Sequence, residues 1–311
     1  MEDRYCDRVN TRFVGLFSVY AGDRSEHLFQ TLWSILRNQT VKLDDAIGVV
    51  EGNVGSELQA VIAHFNEVHW LYVPKVASSL NFGLPACLNA GLQLTSDHDV
   101  VLKIDTDDIY VHDRVEVTRR FFNENPELIL FGGQVLEWDS EFQKTVGLRS
   151  VPEGHQEILK FGRRRNPFNG PTVAFRAERV KRLGGFRQVG ANEDYVLWAE
   201  LLQHGVLALN STEVLAHMRG GDDLVFRRSN ARTRKGEYEA LKAIYEVGFF
   251  TKGQFLLHAV TKSLVRRLPF KLNGIIYRYV LRTPNLEVGL PDEVRQAAKA
   301  IIDWNATNGE A

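Results

Sequence analysis

The stretch Val100-Val101-Leu102-Lys103-Ile104-Asp105-Thr106-Asp107-Asp108 decides the fold of this 311-residue chain. A short apolar run of this kind predicts a buried strand, and ligands of open α/β sheets bind at the carboxyl ends of the strands. Asp105 and Asp107, two residues apart, can direct oxygens toward one point if the chain bends there. Such oxygen clusters suit Mg²⁺ or Mn²⁺, ions that usually reach a protein together with a diphosphate.

The acidic end of this stretch also fits a simpler interpretation. Asp is a common turn residue, so Asp105-Thr106-Asp107-Asp108 could be only a solvated turn. A single short motif does not decide between a turn and a metal site. The rest of the chain has to supply the context.

Strands and helices alternate before the acidic stretch. Apolar runs predict strands, and apolar residues at helical spacing predict helices: the strands cover 13–20, 45–51 and 70–73, and the helices cover 28–36, 56–66 and 84–92. This alternation implies βαβ units and a parallel, doubly wound sheet that binds a nucleotide. The glycine patterns of NAD enzymes and of P-loop NTPases are both missing, which argues against those two classes.

The pattern continues after the acidic stretch. It predicts strands at 128–138, 143–148, 172–175, 206–210 and 214–218, and helices at 113–123, 153–161, 177–183 and 192–205. A loop rich in Asn, Pro and Gly covers 166–171. The acids Glu193 and Asp194 open the last of these helices, where carboxylates either cap the helix or interact with its dipole.

The bulk composition is that of an ordinary globular protein, 44% hydrophobic and 25% charged, with a net charge of −1 that does not indicate nucleic-acid binding. Two cysteines, Cys6 and Cys87, do not suggest a disulfide framework, so we expect a cytoplasmic location. Residues 1–12 lack the apolar core of a signal peptide. We also expect no membrane-spanning helix, because the sequence has no apolar window of about 18 residues.

The segment 247–286 is basic and amphipathic, with seven Lys or Arg residues and no Asp or Glu. Basic helices that carry aromatic residues can lie on an anionic membrane face. Packing of a helical hairpin on the preceding domain explains the pattern equally well. The two interpretations are compatible, because one helix face can contact protein while the other contacts lipid.

Several short motifs, taken together, resemble the family 2 glycosyltransferases of the GT-A fold, above all bacterial enzymes of capsule, exopolysaccharide and O-antigen synthesis of the amylovoran-biosynthesis type. The resemblance covers roughly residues 13 to 285 and depends on the order and spacing of the motifs. They are Phe17-Ser18-Val19-Tyr20, Ser34 to Thr40, Asn81-Phe82-Gly83-Leu84, Asn89 to Leu92, Asp105 to Asp108, Pro171 to Arg176, Gly184-Gly185-Phe186 and Glu193 to Trp198.

This resemblance implies a fold and a domain plan. We expect an α/β GT-A fold with a Rossmann-like, mostly parallel central sheet flanked by helices. Its catalytic domain would cover 1–225, divided into a nucleotide-binding half (about 13–100) and a metal and acceptor half (101–225). A helical extension would cover 226–311, and its helices could contact a membrane.

The resemblance also assigns roles to residues. Asp107 and Asp105 would hold Mg²⁺ or Mn²⁺, with Asp105 also near the ribose, because a cation neutralises a departing diphosphate. Asp108 is a neighbour without an assigned role. His217, after the last strand, would complete the metal site, although a lone histidine is also often structural. The remaining nucleotide-sugar contacts would come from Ser18, Val19, Tyr20, Glu51, Asn81, Gly83, Arg227 and Arg228.

Asp194 matches the position of the base in this family, and an inverting transfer needs a base for the acceptor hydroxyl. The run Arg163 to Arg165 would meet an acceptor diphosphate or face water. Two positions depart from close relatives: Glu51 stands where many carry aspartate, and Gly170 where many carry histidine. The signature Gln-x-x-Arg-Trp of processive synthases is missing, so we expect one sugar per encounter.

The leading hypothesis is therefore an inverting, metal-dependent glycosyltransferase of bacterial surface polysaccharide synthesis. Its donor would be a nucleoside diphosphate sugar, expected to be a UDP-sugar, and its acceptor a saccharide or a polyprenyl-diphosphate-linked sugar. It would be cytoplasmic, with possible peripheral contact to the inner face of the cell membrane. A nucleotidyltransferase and a non-catalytic nucleotide- or sugar-binding protein are the alternatives; the short, glycine-poor loop Ala21 to Arg24 disfavours the first, and intact carboxylates disfavour the second.

Overall fold

The computed structural model describes residues 11–75, 83–220, 231–265 and 289–308. Within these ranges nine strands form one sheet. The strands are β1 (Phe13–Tyr20), β2 (Asp45–Glu51), β3 (His69–Val73), β4 (Val100–Lys103), β5 (Ile109–Tyr110), β6 (Leu128–Trp138), β7 (Thr145–Arg149), β8 (Ala174–Arg176) and β9 (Leu207–Arg219).

Helices connect and flank the strands. They are α1 (Ser25–Leu32), α2 (Ser56–His64), α3 (Gly83–Leu92), α4 (Arg114–Glu124), α5 (His155–Gly162), α6 (Ala177–Arg182), α7 (Glu193–Gln203), α8 (Ala231–Glu246), α9 (Lys252–Val265) and α10 (Asp292–Asn308). A π-helical turn, Trp33–Arg37, continues α1, and a short 3₁₀ turn, Gly170–Thr172, precedes β8.

The sheet has the order β3-β2-β1-β4-β8-β6-β9-β5, and β7 pairs with β6. The strands β3, β2, β1 and β4 are all parallel, which is the predicted nucleotide-binding arrangement. The other half is mixed: β8 runs antiparallel to both of its neighbours, whereas β9 runs parallel to β6. The predicted α/β fold class, with helices flanking a central sheet, is confirmed.

Alternating side chains of β1 divide the interior into two hydrophobic cores, one on each face of the sheet. Val14 and Leu16 belong to the core that includes Trp198 of α7. Phe13 and Phe17 belong to the core beneath α1, α2 and α4. Because β1 and β4 are buried on both faces, the polar residues that follow them become accessible only at the edge of the sheet.

One sequence prediction about strands needs correction, and one strand was not predicted. The strands predicted at 206–210 and 214–218 are one strand, β9, because its parallel pairing with β6 continues across a register shift between Gly132 and Gln134. The short strand β5 follows the acidic stretch and was not predicted, since two residues carry too little pattern. It pairs with β9 at His217 and Ala216.

The C-terminal helices pack against both hydrophobic cores of the sheet. Ala240 and Ile244 of α8, with Phe249 and Phe250 after it, belong to the same core as Trp198. Ile301 of α10 belongs to the opposite core. Among the described residues, no helix combines the length and the apolar character that crossing a membrane requires.

Candidate active site

The carboxyl ends of β1, β2 and β4 open into a cleft of about 820 Å³. Tyr20 at the end of β1 lies beside Glu51 at the end of β2 in the strand register. The opposite wall is formed by the end of β7, the loop before β8 and the start of α7. The cleft brings together most of the described residues that the sequence had singled out: Ser18, Val19, Tyr20, Glu51, Gly83, Asp105, Asp107 and Asp194.

Buried side chains fix the backbone of the acidic turn. The hydroxyl of Tyr110 accepts a hydrogen bond from the amide of Asp105 at 2.8 Å. Arg114, which is fully buried, donates to the carbonyl of Lys103 at 2.8 Å and stacks over the Tyr110 ring at 4.1 Å. These contacts bend the chain directly after β4, and Asp105 and Asp107 therefore both line the cleft.

Asp108 has a different role from its two neighbours. Its carboxylate is 2% exposed and accepts a hydrogen bond from the amide of Arg219 at 2.9 Å. Burial, together with the negative charges of Asp107 and Asp105, raises the pKa of Asp108 well above its ordinary value. Asp108 ties the acidic turn to the end of β9 and is not among the residues that line the cleft.

Lys103 is a cleft residue that the sequence reasoning overlooked. Its side chain is 5% exposed, and its ammonium group bonds the carboxylate of Asp105. Burial alone would lower the pKa of Lys103, but the charges of Asp105 and Asp194 outweigh it and raise the pKa. The available signal was a charged residue inside an otherwise apolar strand, since a buried lysine requires a partner.

Asp194 lies in the first turn of α7 and uses its two oxygens differently. Oδ1 accepts a hydrogen bond from the amide of Tyr195 at 2.7 Å, one of the amides in the first turn of the helix. A Cβ placed on Gly170 would lie 3.4 Å from Oδ2 of Asp194, 3.5 Å from Oδ2 of Asp105 and 3.8 Å from the Lys103 ammonium. A bond to the first turn of the helix and exposure to the cleft therefore coexist in Asp194. The missing side chain at Gly170 keeps open the space among Asp194, Asp105 and Lys103.

Two further acidic residues, Asp23 and Glu193, line the cleft. Burial raises the pKa of Asp23 to about 7, with a smaller contribution in the same direction from Asp107. Burial and the adjacent Asp194 raise the pKa of Glu193. Asp23 and Glu193 were not among the predicted site residues, because a turn Asp and a helix-start Glu have common structural explanations.

The acidic wall suits a divalent cation that arrives with its substrate. Within the described residues, no three His, Cys, Asp or Glu side chains are grouped as a metal site. Mg²⁺ sites of nucleotide enzymes usually use only one or two carboxylates, completed by substrate phosphates and water. Asp105 and Asp107, which both line the cleft, match that donor set.

His217 is not brought to the cleft. Its neighbour Met218 lines the cleft, and alternation along β9 directs His217 to the other face of the sheet. There it is 5% exposed, and its Nδ1 accepts a hydrogen bond from the indole of Trp138 at 3.4 Å. Its Nε2 lies 3.9 Å from a carboxylate oxygen of Glu293 in α10. Burial lowers the pKa of His217 to about 4. The position fits the structural interpretation of this histidine rather than that of a cation ligand.

Some of the basic residues named from the sequence line the cleft and others do not. Of the run from Arg163 to Arg165, only Arg165 lines the cleft, where it is joined by Arg149, which had not been predicted. Asn81, Arg227 and Arg228 lie outside the described residues, and the contacts predicted for them stay predictions.

Comparison with curated proteins finds close sequence relatives, although no protein-family model matches the chain. The chain is 34% identical to an uncharacterized glycosyltransferase of Haemophilus influenzae, over 87% of this chain and 99% of that protein. It is 32% identical to the Escherichia coli UDP-Gal:α-D-GlcNAc-diphosphoundecaprenol β-1,3-galactosyltransferase, over 87% and 97%. It is also 32% identical to the amylovoran biosynthesis glycosyltransferase AmsE of Erwinia amylovora, over 85% and 97%.

Solved structures share the fold at lower identity. TarS residues 1–349 of Staphylococcus aureus, in complex with UDP, aligns with a TM-score of 0.57 at 14% identity, covering 94% of this chain and 83% of that one. A Pyrobaculum calidifontis mannosyltransferase, in complex with GDP-Man and Mn²⁺, aligns with a TM-score of 0.54 at 14% identity, covering 96% and 75%. At these identities the likeness concerns the fold.

Proposed function

This chain belongs to the bacterial glycosyltransferases, and we propose that it moves one sugar from a UDP-sugar to a lipid-linked acceptor with inversion at the anomeric carbon. Its membership confirms the predicted enzyme class. The observation that carries the proposal is the single cleft that joins Asp105, Asp107 and Asp194.

The donor half of the proposal rests on the ends of β1, β2 and β4. Ser18, Tyr20 and Glu51 would contact the base and ribose, and Gly83 (φ +46°) would allow the backbone at the start of α3 to approach closely. UDP is proposed as the nucleotide because the E. coli relative uses UDP-Gal. Glu51 has the acceptor oxygens to receive a base N–H.

Asp105 and Asp107 are the proposed holders of Mg²⁺ or Mn²⁺. When bound, such a cation neutralises the charge that develops on the leaving diphosphate. Lys103 keeps Asp105 in place through its buried ion pair and adds a fixed positive charge beneath the cleft. Asp108 takes no part in this set, because its carboxylate is already used by the amide of Arg219.

Asp194 is the proposed base of the reaction. In an in-line displacement the acceptor oxygen attacks the anomeric carbon while its proton passes to the base and the bond to the diphosphate breaks. The amide of Tyr195 orients the carboxylate through Oδ1. The space beside Gly170, which faces Oδ2, is where the acceptor hydroxyl would enter.

A nucleotide-release assay tests this function. Purified protein would be incubated with Mn²⁺, a panel of UDP-sugars and a membrane lipid extract as the source of acceptor. We expect UDP release that depends on both the extract and the cation. Asp194→Asn should lower kcat by about 10²–10⁴-fold, the usual contribution of a positioned base, and Asp107→Asn should remove the dependence on Mn²⁺.

Asp97→Asn is the matched control, because Asp97 is an exposed aspartate outside the cleft. It makes the same chemical change and should leave turnover unaltered. Absence of turnover with every donor and cation would refute the proposal. Wild-type rates in Asp194→Asn would refute only the role of the base.

We also propose that the C-terminal helices contact an anionic membrane face. Leu256, Leu257 and Val260 of α9 are 51%, 62% and 54% exposed, and they lie within the basic segment 247–286. Exposed apolar side chains beside basic residues favour anionic lipid. Leu257→Asp should reduce sedimentation with vesicles of anionic lipid, and equal sedimentation with purely neutral vesicles would contradict the proposal.

A further inference from the structure

Two arginines line the cleft on the side away from the proposed nucleotide residues. Arg149 ends β7, and Arg165 lies in the loop after α5. In the sheet, β4 and β8 separate the donor strands β1 and β2 from β6, the strand to which β7 is paired. The two guanidinium groups therefore belong to the half of the cleft that also contains Gly170.

Apolar side chains hold both guanidinium groups against the cleft wall. The guanidinium carbon of Arg165 lies 4.4 Å from the ring centroid of Phe161. Nη1 of Arg149 lies 3.2 Å from the sulfur of Met218. The pKa of Arg165 is lowered, first by burial and then by the positive charge of Arg149. Two like charges at one partly buried wall repel each other, and a polyanion bound between them would relieve that repulsion.

The loop of Arg165 connects this arginine pair with the proposed base. Asn169, which is buried, donates its side-chain amide to the carbonyl of Arg149 at 2.9 Å. The next residue, Gly170, is the one whose Cβ position lies 3.4 Å from Oδ2 of Asp194. An anion held by the arginines would therefore place whatever is attached to it along the wall that leads to Asp194.

We infer that Arg149 and Arg165 bind the diphosphate of a lipid-linked acceptor, so that the attached sugar reaches Asp194. This inference rests on the proposed function, because it assumes that the acidic end of the cleft receives the donor. Guanidinium groups suit the task, since they form bidentate, charge-assisted hydrogen bonds with phosphate oxygens. The donor diphosphate, in contrast, would meet the carboxylates of Asp105 and Asp107 through a cation.

Calorimetric titration with geranyl diphosphate in EDTA tests the arginine pair without a cation bridge. We expect binding to the wild-type protein, and Arg149→Gln and Arg165→Gln should each weaken it at least about tenfold, as the loss of a hydrogen bond to a charged group predicts. Arg164→Gln is the matched control, because Arg164 is exposed, lies next to Arg165 and is outside the cleft. Geraniol should not bind, since it lacks the phosphates.

Repeating the titration with UDP decides whether the two arginines bind the diphosphate of the acceptor or that of the donor. If the pair serves the acceptor, UDP at saturation with Mn²⁺ leaves geranyl diphosphate bound, and both Arg variants bind UDP like the wild type. Competition by UDP, together with weaker UDP binding in both variants, would assign the pair to the donor and overturn the inference. Equal binding of geranyl diphosphate by all variants would also overturn it.

Folding and the wider proposal are controlled separately. Arg165→Lys keeps the positive charge but loses the bidentate guanidinium group. Partial retention of geranyl diphosphate binding in this variant would therefore support the proposed anion site even if Arg165→Gln unfolds. Thermal unfolding of each variant identifies loss of structure. A failed donor screen with intact, arginine-dependent binding of geranyl diphosphate would refute the proposed transfer and leave the anion site standing.

Discussion

The buried histidine His217 leads to a quantitative prediction about stability and pH. Burial lowers its pKa from the ordinary 6.5 to about 4. Between these two values the unfolded chain binds a proton that the folded chain does not bind, so the free energy of unfolding falls as the pH falls. At about pH 5 this difference amounts to about 2 kcal/mol, and it approaches about 3 kcal/mol below pH 4.

Urea unfolding at about pH 7.5 and about pH 5, followed by tryptophan fluorescence, measures this loss in the wild type and in His217→Gln. The glutamine keeps a polar side chain but does not titrate. We therefore expect the acid-induced loss of stability to be about 2 kcal/mol smaller in His217→Gln than in the wild type. Because both proteins share their other titratable groups, the difference isolates His217.

His112 provides the matched control with the opposite sign. Its hydrogen bond to Glu293, at 2.8 Å, raises its pKa, so its contribution is present below the unfolded pKa and is lost as the pH rises through the folded pKa. His112→Gln should therefore make the acid-induced loss steeper. Identical pH dependence in His217→Gln and the wild type would refute the reasoning. Loss of cation-dependent activity in His217→Gln would instead restore the metal-ligand interpretation.

Substitutions at Asp108, Lys103 and Gly170 test the roles proposed for residues in and beside the cleft. In Asp108→Asn, the side-chain oxygen can still accept the hydrogen bond from the buried amide of Arg219. Calorimetry should therefore show that UDP binding to Asp108→Asn still depends on Mn²⁺, whereas UDP binding to Asp107→Asn does not. Lys103→Met removes a cation near Asp194 and should shift the acidic limb of the kcat/KM profile to higher pH; an unshifted limb would contradict this. Gly170→Leu should lower kcat/KM for the acceptor about 10²-fold with UDP affinity retained, whereas Gly170→Ala, whose Cβ contacts are 3.4–3.8 Å, should be milder.

The regular elements were predictable because burial on both faces leaves a strong signal in a strand. The bounds of Phe13–Tyr20, Asp45–Glu51 and Leu128–Trp138 were predicted as the structure has them. Each is an apolar run that ends where side chains emerge from the sheet. The cleft at the carboxyl ends followed from the parallel order, which the alternation of strands and helices already implied.

The orientation of single polar residues was harder to predict from the sequence, because a register shift of one residue turns a strand side chain to the opposite face of the sheet. Met218 faces the cleft while His217 faces α10, and a shift by one position would exchange them. Asp107 and Asp108 differ in the same way, because the bend after β4 is fixed by Tyr110 and Arg114, two partners that the sequence does not connect with it. Local pattern therefore identified the acidic cluster but not the task of each carboxylate.

Lys103 explains how two groups of carboxylates can serve opposite purposes in one cleft. Asp105 and Asp107 need to remain anionic to hold a cation, whereas Asp194 must accept a proton from the acceptor. Without a positive charge nearby, the three carboxylates would repel one another. The Lys103 ammonium, paired with Asp105 and attracted by the charge of Asp194, offsets this repulsion in the proposed mechanism. A buried lysine at the end of β4 is therefore as much a part of the proposed chemistry as the acids that follow it.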